Sequence, residues 1–172
     1  MTGILKVDQI QNNIGTPAVT IDANGRYTSP ANPIFYATGG TASWQAAGNV
    51  ANMTGWITSG TTVAFNRGFA YNSDNGELTV PCDGVYEVFV SFLTETNNGE
   101  YVLSRIKNNS TIYATTQIYQ LDAGRTQNTL NLHAIFDAVT NDKITVTVQG
   151  SGSSPQYYMN SNYAHFSARL IG

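Results

Sequence analysis

Two stretches of the chain, residues 85–93 and 130–139, carry apolar side chains at both odd and even positions, which point to opposite faces of a strand. The first stretch places Tyr86, Val88, Val90 and Phe92 on one face, and Val85, Phe89 and Leu93 occupy most positions of the other face. The second places Leu130, Leu132, Ala134 and Phe136 on a core face and His133, Ile135 and Val139 on the opposite face. A strand of an antiparallel fold that is apolar on both faces needs a second cover. We predict that another subunit supplies it.

The rest of residues 34–172 reads as short strands separated by turns, with hardly any helix. Turn signals occur at "SDNG", "NNG", "KNNS", "LDAG", "TND" and "GSGSSP". In the stretch "KITVTVQ", apolar and polar residues alternate strictly. This pattern predicts a strand with Ile144 and Val146 on a core-facing side and Thr145 and Thr147 on a solvent-exposed side. Eight or more short strands at this spacing predict an all-β sandwich, jelly roll or barrel.

Residues 1–33 form a thinner leader with a hairpin signal around Asn24-Gly25. A lone hairpin is marginally stable in water, so its apolar residues need an outside partner. These anchor residues are Ile4, Leu5, Val7, Ile10, Ile14, Val19 and Ile21. Either three leaders intertwine or the leader docks into another protein.

Composition excludes several function classes. Charged residues make up 11% of the chain, against about 25% in an average soluble domain, and the net charge is −3. Without a basic run to neutralise phosphates, nucleic acid is not an expected partner. The sequence has no apolar stretch long enough to insert in a membrane and no secretory signal, so we expect folding in a cytoplasm. The single cysteine, Cys82, cannot form an internal disulfide.

No residue pattern points to catalysis or to a cofactor. The only two histidines, His133 and His165, lack neighbours at the spacing of a zinc motif. Asp74 and Glu77 flank a turn, and two carboxylates there indicate turn chemistry, since calcium needs six to eight oxygens. We therefore assign no catalytic, cofactor-binding or metal-binding residue and expect that the protein is not an enzyme.

Aromatic residues in loops are the candidate contacts for a receptor. They are Trp44 and Trp56 in the uncharged loop 39–60, and Tyr157 and Tyr158 in the segment after "GSGSSP". Exposed Trp and Tyr side chains are effective anchors for binding partners. The alternative is that both indoles tuck against the sandwich or between subunits.

The segment "AFNRGFAYNSDNGELTVPCDGVYEVFVSF" resembles the central motif of the complement C1q-like, tumour-necrosis-factor-like head domains. The matching positions are Phe65, Asn66, Tyr71, Gly76, Leu78, Thr79, Pro81, Gly84, Tyr86 and Val88, and the ending "HFSARLI" matches through Phe166, Ser167, Leu170 and Ile171. The resemblance implies a ten-stranded antiparallel jelly-roll sandwich that assembles as a threefold homotrimer with its inner sheets facing the axis. We expect Tyr86, His133, Ile135 and Phe166 at the trimer interface.

The leader "ILKVDQIQNNIGTPAVTID" is similar to segments in tail-fibre and other virion proteins of marine and cyanobacterial bacteriophages. The resemblance implies a virion structural protein that is assembled in the host bacterial cytoplasm. Its leader would dock on other virion proteins of the capsid, tail or fibre, and its head would be displayed for attachment, with a host-surface glycan or protein as the candidate receptor. Two alternatives stay open: a capsid-stabilising cement protein without receptor binding, and a bacterial C1q-like lectin or adhesin.

Overall fold

The computed structural model describes residues 9–11, 17–21, 23–24, 27–28, 32–40, 43–57, 64–121, 124, 126–152 and 154–172. The chain divides into two compact units, Met1–Asn32 and Pro33–Gly172. Nowhere in the described part is there a helix with the length and hydropathy that crossing a bilayer requires.

The N-terminal unit is a small antiparallel sheet of β1 (Gln9–Gln11), β2 (Pro17–Ile21) and β3 (Tyr27–Thr28), with β2 in the middle. The hairpin predicted around Asn24 is present, since Ile21 pairs with Tyr27 across it. Of the predicted anchor residues, Ile10 exposes 53% of its surface, whereas Val19 and Ile21 are half-buried. Ile4, Leu5, Val7 and Ile14 lie outside the described residues.

The head consists of fourteen described strands. They are β4 (Ile34–Gly39), β5 (Trp44–Ala46), β6 (Ala51–Asn52), β7 (Trp56–Ile57), β8 (Phe65–Arg67), β9 (Ala70–Asn72), β10 (Glu77–Thr79), β11 (Gly84–Thr96), β12 (Tyr101–Asn108), β13 (Thr111–Tyr119), β14 (Thr126–Ala138), β15 (Lys143–Gly150), β16 (Gln156–Tyr158) and β17 (His165–Leu170). They form two antiparallel sheets. The β15 sheet has the order β13-β12-β15-β10-β9, with β6 beside β15; the β11 sheet has the order β5-β16-β11-β17-β4-β7, with β14 beside β11 and β8 beside β4.

The core lies between the inner faces of the two sheets. From the β11 sheet it takes the even-numbered side chains of β11 and β14, which include Val88, Phe92 and Leu132, all buried. The β15 sheet contributes Leu78 and Ile106, which are fully buried as well. The core face predicted for residues 130–136 is therefore confirmed.

The prediction that Thr145 and Thr147 form a solvent-exposed face of β15 is wrong. Thr145 and Thr147 are only 7% and 2% exposed. The neighbouring strand β12 places long side chains opposite them, Lys107 opposite Thr145 and Arg105 opposite Thr147. Arg105 then reaches along the strand to donate to Gln149 Oε1 at 3.4 Å, so its aliphatic stem lies over Thr147.

The turn between β9 and β10 is built by two asparagines and a glycine. Asn72 Oδ1 accepts from the backbone N–H of Asp74 at 3.0 Å, and Asn75 Oδ1 accepts from that of Glu77 at 3.2 Å. Gly76 has a φ of +70°, in the left-handed region that favours glycine. Asp74 and Glu77 thus lie in an Asx-type turn, where their backbone groups have local partners.

Replacing Gly76 with alanine is expected to destabilise the head by more than the same change at Gly99. Both glycines have positive φ, +70° and +78°, so each substitution incurs backbone strain of about 1–2 kcal/mol. A Cβ at Gly76 would also lie 2.3 Å from the carbonyl oxygen of Met53, whereas a Cβ at Gly99 would meet nothing within 4 Å. Urea unfolding of both variants measures the difference. Equal losses would contradict the close packing of the turn on Met53.

The turn between β14 and β15 depends on an ionised carboxylate. Hydrogen bonds from the Asn108 amide, the backbone N–H of Val139 and the Asn109 amide hold the pKa of Asp142 below its ordinary value of 3.8. The Asn108 and Asn109 donors both lie 2.8 Å from the carboxylate oxygens. A lowered folded pKa means that this stabilisation is present above the ordinary pKa and is lost as pH falls through the folded value.

An Asp142→Asn variant is therefore expected to be less stable than the wild type at neutral pH, because it lacks the charge-assisted bonds. The difference should shrink as the pH falls below about 4, the ordinary pKa of Asp, because the unfolded chain then binds a proton before the folded one does. Denaturant unfolding at a series of pH values measures it. A difference that stays constant down to pH 2 would show that ionisation of Asp142 does not stabilise the turn.

Candidate interaction surfaces

The outer face of the β11 sheet, which points away from the core, carries a row of large side chains. The strand registers place His133 beside Phe89, Phe89 beside Ser167, Ser167 beside Tyr36, and Tyr36 beside Phe65. Phe89 and Phe65 expose 40% and 49% of their surface, and Ile135 nearby on β14 exposes 54%. The face therefore exposes several large apolar side chains in one chain.

A groove of about 660 Å³ runs along this row, and we name it the outer groove. Its apolar lining includes Ile34, Tyr36, Phe65 and Phe89, and its charged or titratable lining is Glu87, His133 and Arg169. The Tyr36 and Phe65 rings stack with centroids 6.1 Å apart, and the Tyr36 hydroxyl hydrogen-bonds His165 Nδ1 at 2.8 Å. Stacking and hydrogen bonding restrict Tyr36 to one position at the groove wall.

Glu87 is the electrostatic centre of the outer groove. Arg169 Nε donates a short hydrogen bond to Glu87 Oε2, and His133 Nε2 lies 3.0 Å from Glu87 Oε1. The Arg169 guanidinium, followed by the His133 imidazole, holds the pKa of Glu87 below its ordinary value. The carboxylate thus has both of its oxygens occupied within one chain.

Two of the four predicted interface residues are wrongly placed. Tyr86 and Phe166 are both fully buried in the core of a single chain, so their side chains cannot contact a second one. The Tyr86 hydroxyl donates to the carbonyl oxygen of Cys82 at 2.8 Å, and burial raises its pKa. Phe166 packs against Phe35 with centroids 5.1 Å apart. The other two, His133 and Ile135, lie on the exposed outer face.

Of the four aromatic residues predicted to contact a receptor, two face the core and two are accessible at the surface. Trp56 is only 4% exposed and packs on the core ring of Phe166, with centroids 5.5 Å apart, so it is not a contact residue. Tyr157 faces the core side, where it meets Phe92 edge-on at 6.2 Å and burial raises its pKa. Trp44 and Tyr158 are half-buried and lie against each other with tilted rings, with centroids 5.0 Å apart.

Tyr36, Phe65 and Arg169 were not predicted as surface-site residues, although Phe89 was placed on the second apolar face. Each belongs to a different strand, and a one-dimensional pattern does not tell which strands become neighbours. Alternation in "HFSARL" does place Arg169 and Ser167 on the face opposite Phe166, and that signal could have identified Phe166 as a core residue.

Metal ligands do not cluster in the described part of the chain: no group of three or more His, Cys, Asp or Glu side chains comes together there. His133 and His165 lie on the same face but have different partners, Glu87 and Tyr36. Cys82 is a free, half-buried thiol beside the Tyr86 hydroxyl.

The head consists of two antiparallel sheets packed face to face. In one sheet β11 lies between β14 and β17, and in the other β15 lies between β12 and β10. This arrangement is a jelly-roll sandwich of the C1q/TNF-like type. The predicted all-β antiparallel jelly-roll sandwich is confirmed, with fourteen described strands in the head where ten were predicted. A solved structure similar to the chain is that of Eiger TNF from S. frugiperda, at a TM-score of 0.65 and 13% sequence identity, covering 83% of this chain and 94% of that one. At this identity the likeness defines the fold. No protein-family model and no curated protein sequence matches the chain.

Proposed function

We propose that the protein is a structural component of a bacteriophage virion, a homotrimeric fibre or decoration protein. Its residues 1–33 attach to other virion proteins, and its head is displayed for attachment to a host or a surface. This role requires no enzyme activity, cofactor or metal. The proposal rests on the exposed apolar face of the head, and on the leader sequence for the virion assignment.

The outer face of the β11 sheet is the observation that carries the assembly. Its opposite face already supplies the core, and on the outer face Phe89 and Ile135 still expose 40% and 54% of their surface, while Phe65, although stacked on Tyr36, exposes 49%. Contiguous exposed apolar side chains of this kind mark protein contact sites. Most homo-oligomers close by rotational symmetry, and the C1q/TNF-like resemblance of the sequence favours three copies.

The charges in the outer groove are compatible with burial at such a contact. Burying an ion is costly unless it is paired and hydrogen-bonded. Glu87 is already paired with Arg169 and His133 of its own chain. A second copy could therefore cover the groove without leaving this carboxylate unpaired.

The leader supports attachment to a larger particle. The described strands of this segment are only two to five residues long, and Ile10 exposes 53% of its surface. Docking on another virion protein would cover such residues. The sequence likeness of this segment to virion proteins of bacteriophages gives the partner its class.

Light scattering of the full chain tests the assembly, with a trimer expected at three times the monomer mass of 18.5 kDa. A stable monomer at micromolar concentration would overturn it.

Deleting residues 1–30 should leave a soluble trimeric head that no longer joins particles. The matched control is a full chain carrying Tyr119→Ala, an exposed residue of the head, which should still incorporate.

Electron microscopy of released particles, labelled with an antibody against the head, locates the protein. Label on the tail supports a fibre role, and label on capsid faces supports decoration. Particles that carry no label, or that incorporate the truncated head as well as the full chain, would contradict attachment through the leader.

A further inference from the structure

Three aromatic rings from three separate elements form one cluster at the surface of the head, which we name the aromatic platform. It consists of Trp44 on β5, Tyr158 on β16 and Tyr163 in the turn before β17. Trp44 and Tyr158 have centroids 5.0 Å apart, and Tyr158 and Tyr163 have centroids 5.9 Å apart. Tyr163 exposes 50% of its surface, and the other two are half-buried.

The platform is held in place by backbone pairing. Tyr158 pairs with Trp44 on one side and with Leu93 of β11 on the other, so both rings lie on the outer face of the β11 sheet. The turn that carries Tyr163 is closed by its N–H, which donates to the carbonyl oxygen of Asn160 at 3.0 Å. A surface that is already formed loses little conformational entropy when it binds.

Gly39 lets this turn approach β4. The Gly39 N–H donates to the carbonyl oxygen of Ala164 at 2.9 Å. A Cβ at Gly39 would lie 2.6 Å from the carbonyl carbon of Met159, closer than real contacts allow. The absence of a side chain at this position therefore allows Tyr163 to reach Tyr158.

The segments that build the platform are uncharged, and the nearby Glu95 of β11, which lies opposite Gln156, is only 8% exposed. The two segments, residues 27–66 and 144–164, contain no Asp, Glu, Lys, Arg or His. Amides and hydroxyls take their place: Gln45 Nε2 donates to Ser43 Oγ at 2.9 Å, and Asn160 Oδ1 accepts from the backbone N–H of Asn162 at 2.9 Å. A charged peptide, a nucleic acid or an anionic lipid would find no opposite charge on these segments.

We propose that the aromatic platform binds a neutral carbohydrate. The face of an aromatic ring carries partial negative charge and attracts the weakly positive C–H face of a sugar ring. Amides and hydroxyls around it can donate to and accept from sugar hydroxyls. The inference builds on the proposed attachment function by giving the displayed head a ligand class.

The platform and the outer groove occupy different ends of the outer face of the β11 sheet. Along β11, Leu93 beside the platform is four residues from Phe89 in the groove, a separation of about 13 Å at 3.3 Å per residue. The two proposals therefore assign the Phe89 end of β11 to the subunit contact and the Leu93 end to the sugar.

The test is binding of the full chain to an array of neutral oligosaccharides, namely glucans, mannans, galactans and N-acetylhexosamine oligomers, with sialylated and uronic-acid oligosaccharides as charged counterparts. We expect binding to one or more neutral members that changes little between 0.15 and about 1 M NaCl, because no ion pair forms. Trp44→Ala and Tyr163→Ala should each weaken it about tenfold or more.

Two control variants separate stacking from folding. Tyr163→Phe keeps the ring and should keep binding, and Tyr119→Ala removes a tyrosine of matching exposure, 51% against 50%, from outside the platform. The proposal is overturned by no binding to any neutral oligosaccharide, by binding that survives both alanine variants, or by binding confined to charged sugars. A trimeric virion protein that binds no sugar refutes this inference alone, whereas sugar binding by a protein absent from particles refutes the proposed function alone.

Discussion

The Phe89→Glu variant of the full chain is expected to scatter light as a monomer under conditions where the wild type is a trimer. Phe89 lines the outer groove and exposes 40% of its surface in one chain. Glutamate there removes apolar area from the contact and would bury a second carboxylate next to Glu87, whose own partners are already engaged. An unpaired buried charge costs several kcal/mol, which is enough to dissociate an assembly at micromolar concentration.

Val50→Glu is the matched control for this experiment. Val50 exposes 52% of its surface and directly precedes β6, which pairs with the other sheet. A carboxylate there should leave the trimer mass unchanged, and both variants should keep the circular dichroism spectrum of a β-sandwich. A Phe89→Glu protein that stays trimeric at the concentration where the wild type does would mean that the outer groove is not the subunit contact.

The Phe166→Ala variant is expected to lower the free energy of unfolding by about 3–5 kcal/mol, the usual cost of truncating a fully buried phenylalanine. Its ring is 0% exposed, and it packs against Phe35 and Trp56 with centroids 5.1 and 5.5 Å away. The loss comes from the cavity that forms between the sheets. Urea unfolding, followed by tryptophan fluorescence at equal protein concentration, measures it, because association also contributes to apparent stability.

Ser167→Ala is the neighbouring control, one position along β17 and on the opposite face of the same sheet. It should unfold close to the wild type, because the change is small and leaves the core intact. If Phe166→Ala dissociated the protein while its unfolding free energy stayed unchanged, Phe166 would be a contact residue after all.

Much of the fold could be predicted from alternation and turn chemistry. The core face of β14, the hairpin around Asn24 and the jelly-roll class all follow from side-chain periodicity, turn residues and the C1q/TNF-like motif. These features depend on interactions within one strand or across one turn, and a linear pattern records such interactions directly.

The candidate sites were predicted less well, since their residues come from strands far apart in the sequence. Trp44 and Tyr158 are adjacent only because β5 pairs with β16, and Arg169 reaches Glu87 only because β17 pairs with β11. Neither pairing leaves a periodic trace in the sequence.

By itself, the sequence determined that this chain folds as an all-β sandwich with apolar side chains on both faces of its longest strands, because alternation sets which side chains share a face. It also indicated the core face of β14, whereas only the tertiary structure decided which face of β11 is the core. Tyr86, Phe166 and Trp56 lie inside, and Phe89, Ile135 and Phe65 lie outside. The physical reason is that a strand with two apolar faces can be buried from either side, and the packing of the second sheet selects one of them.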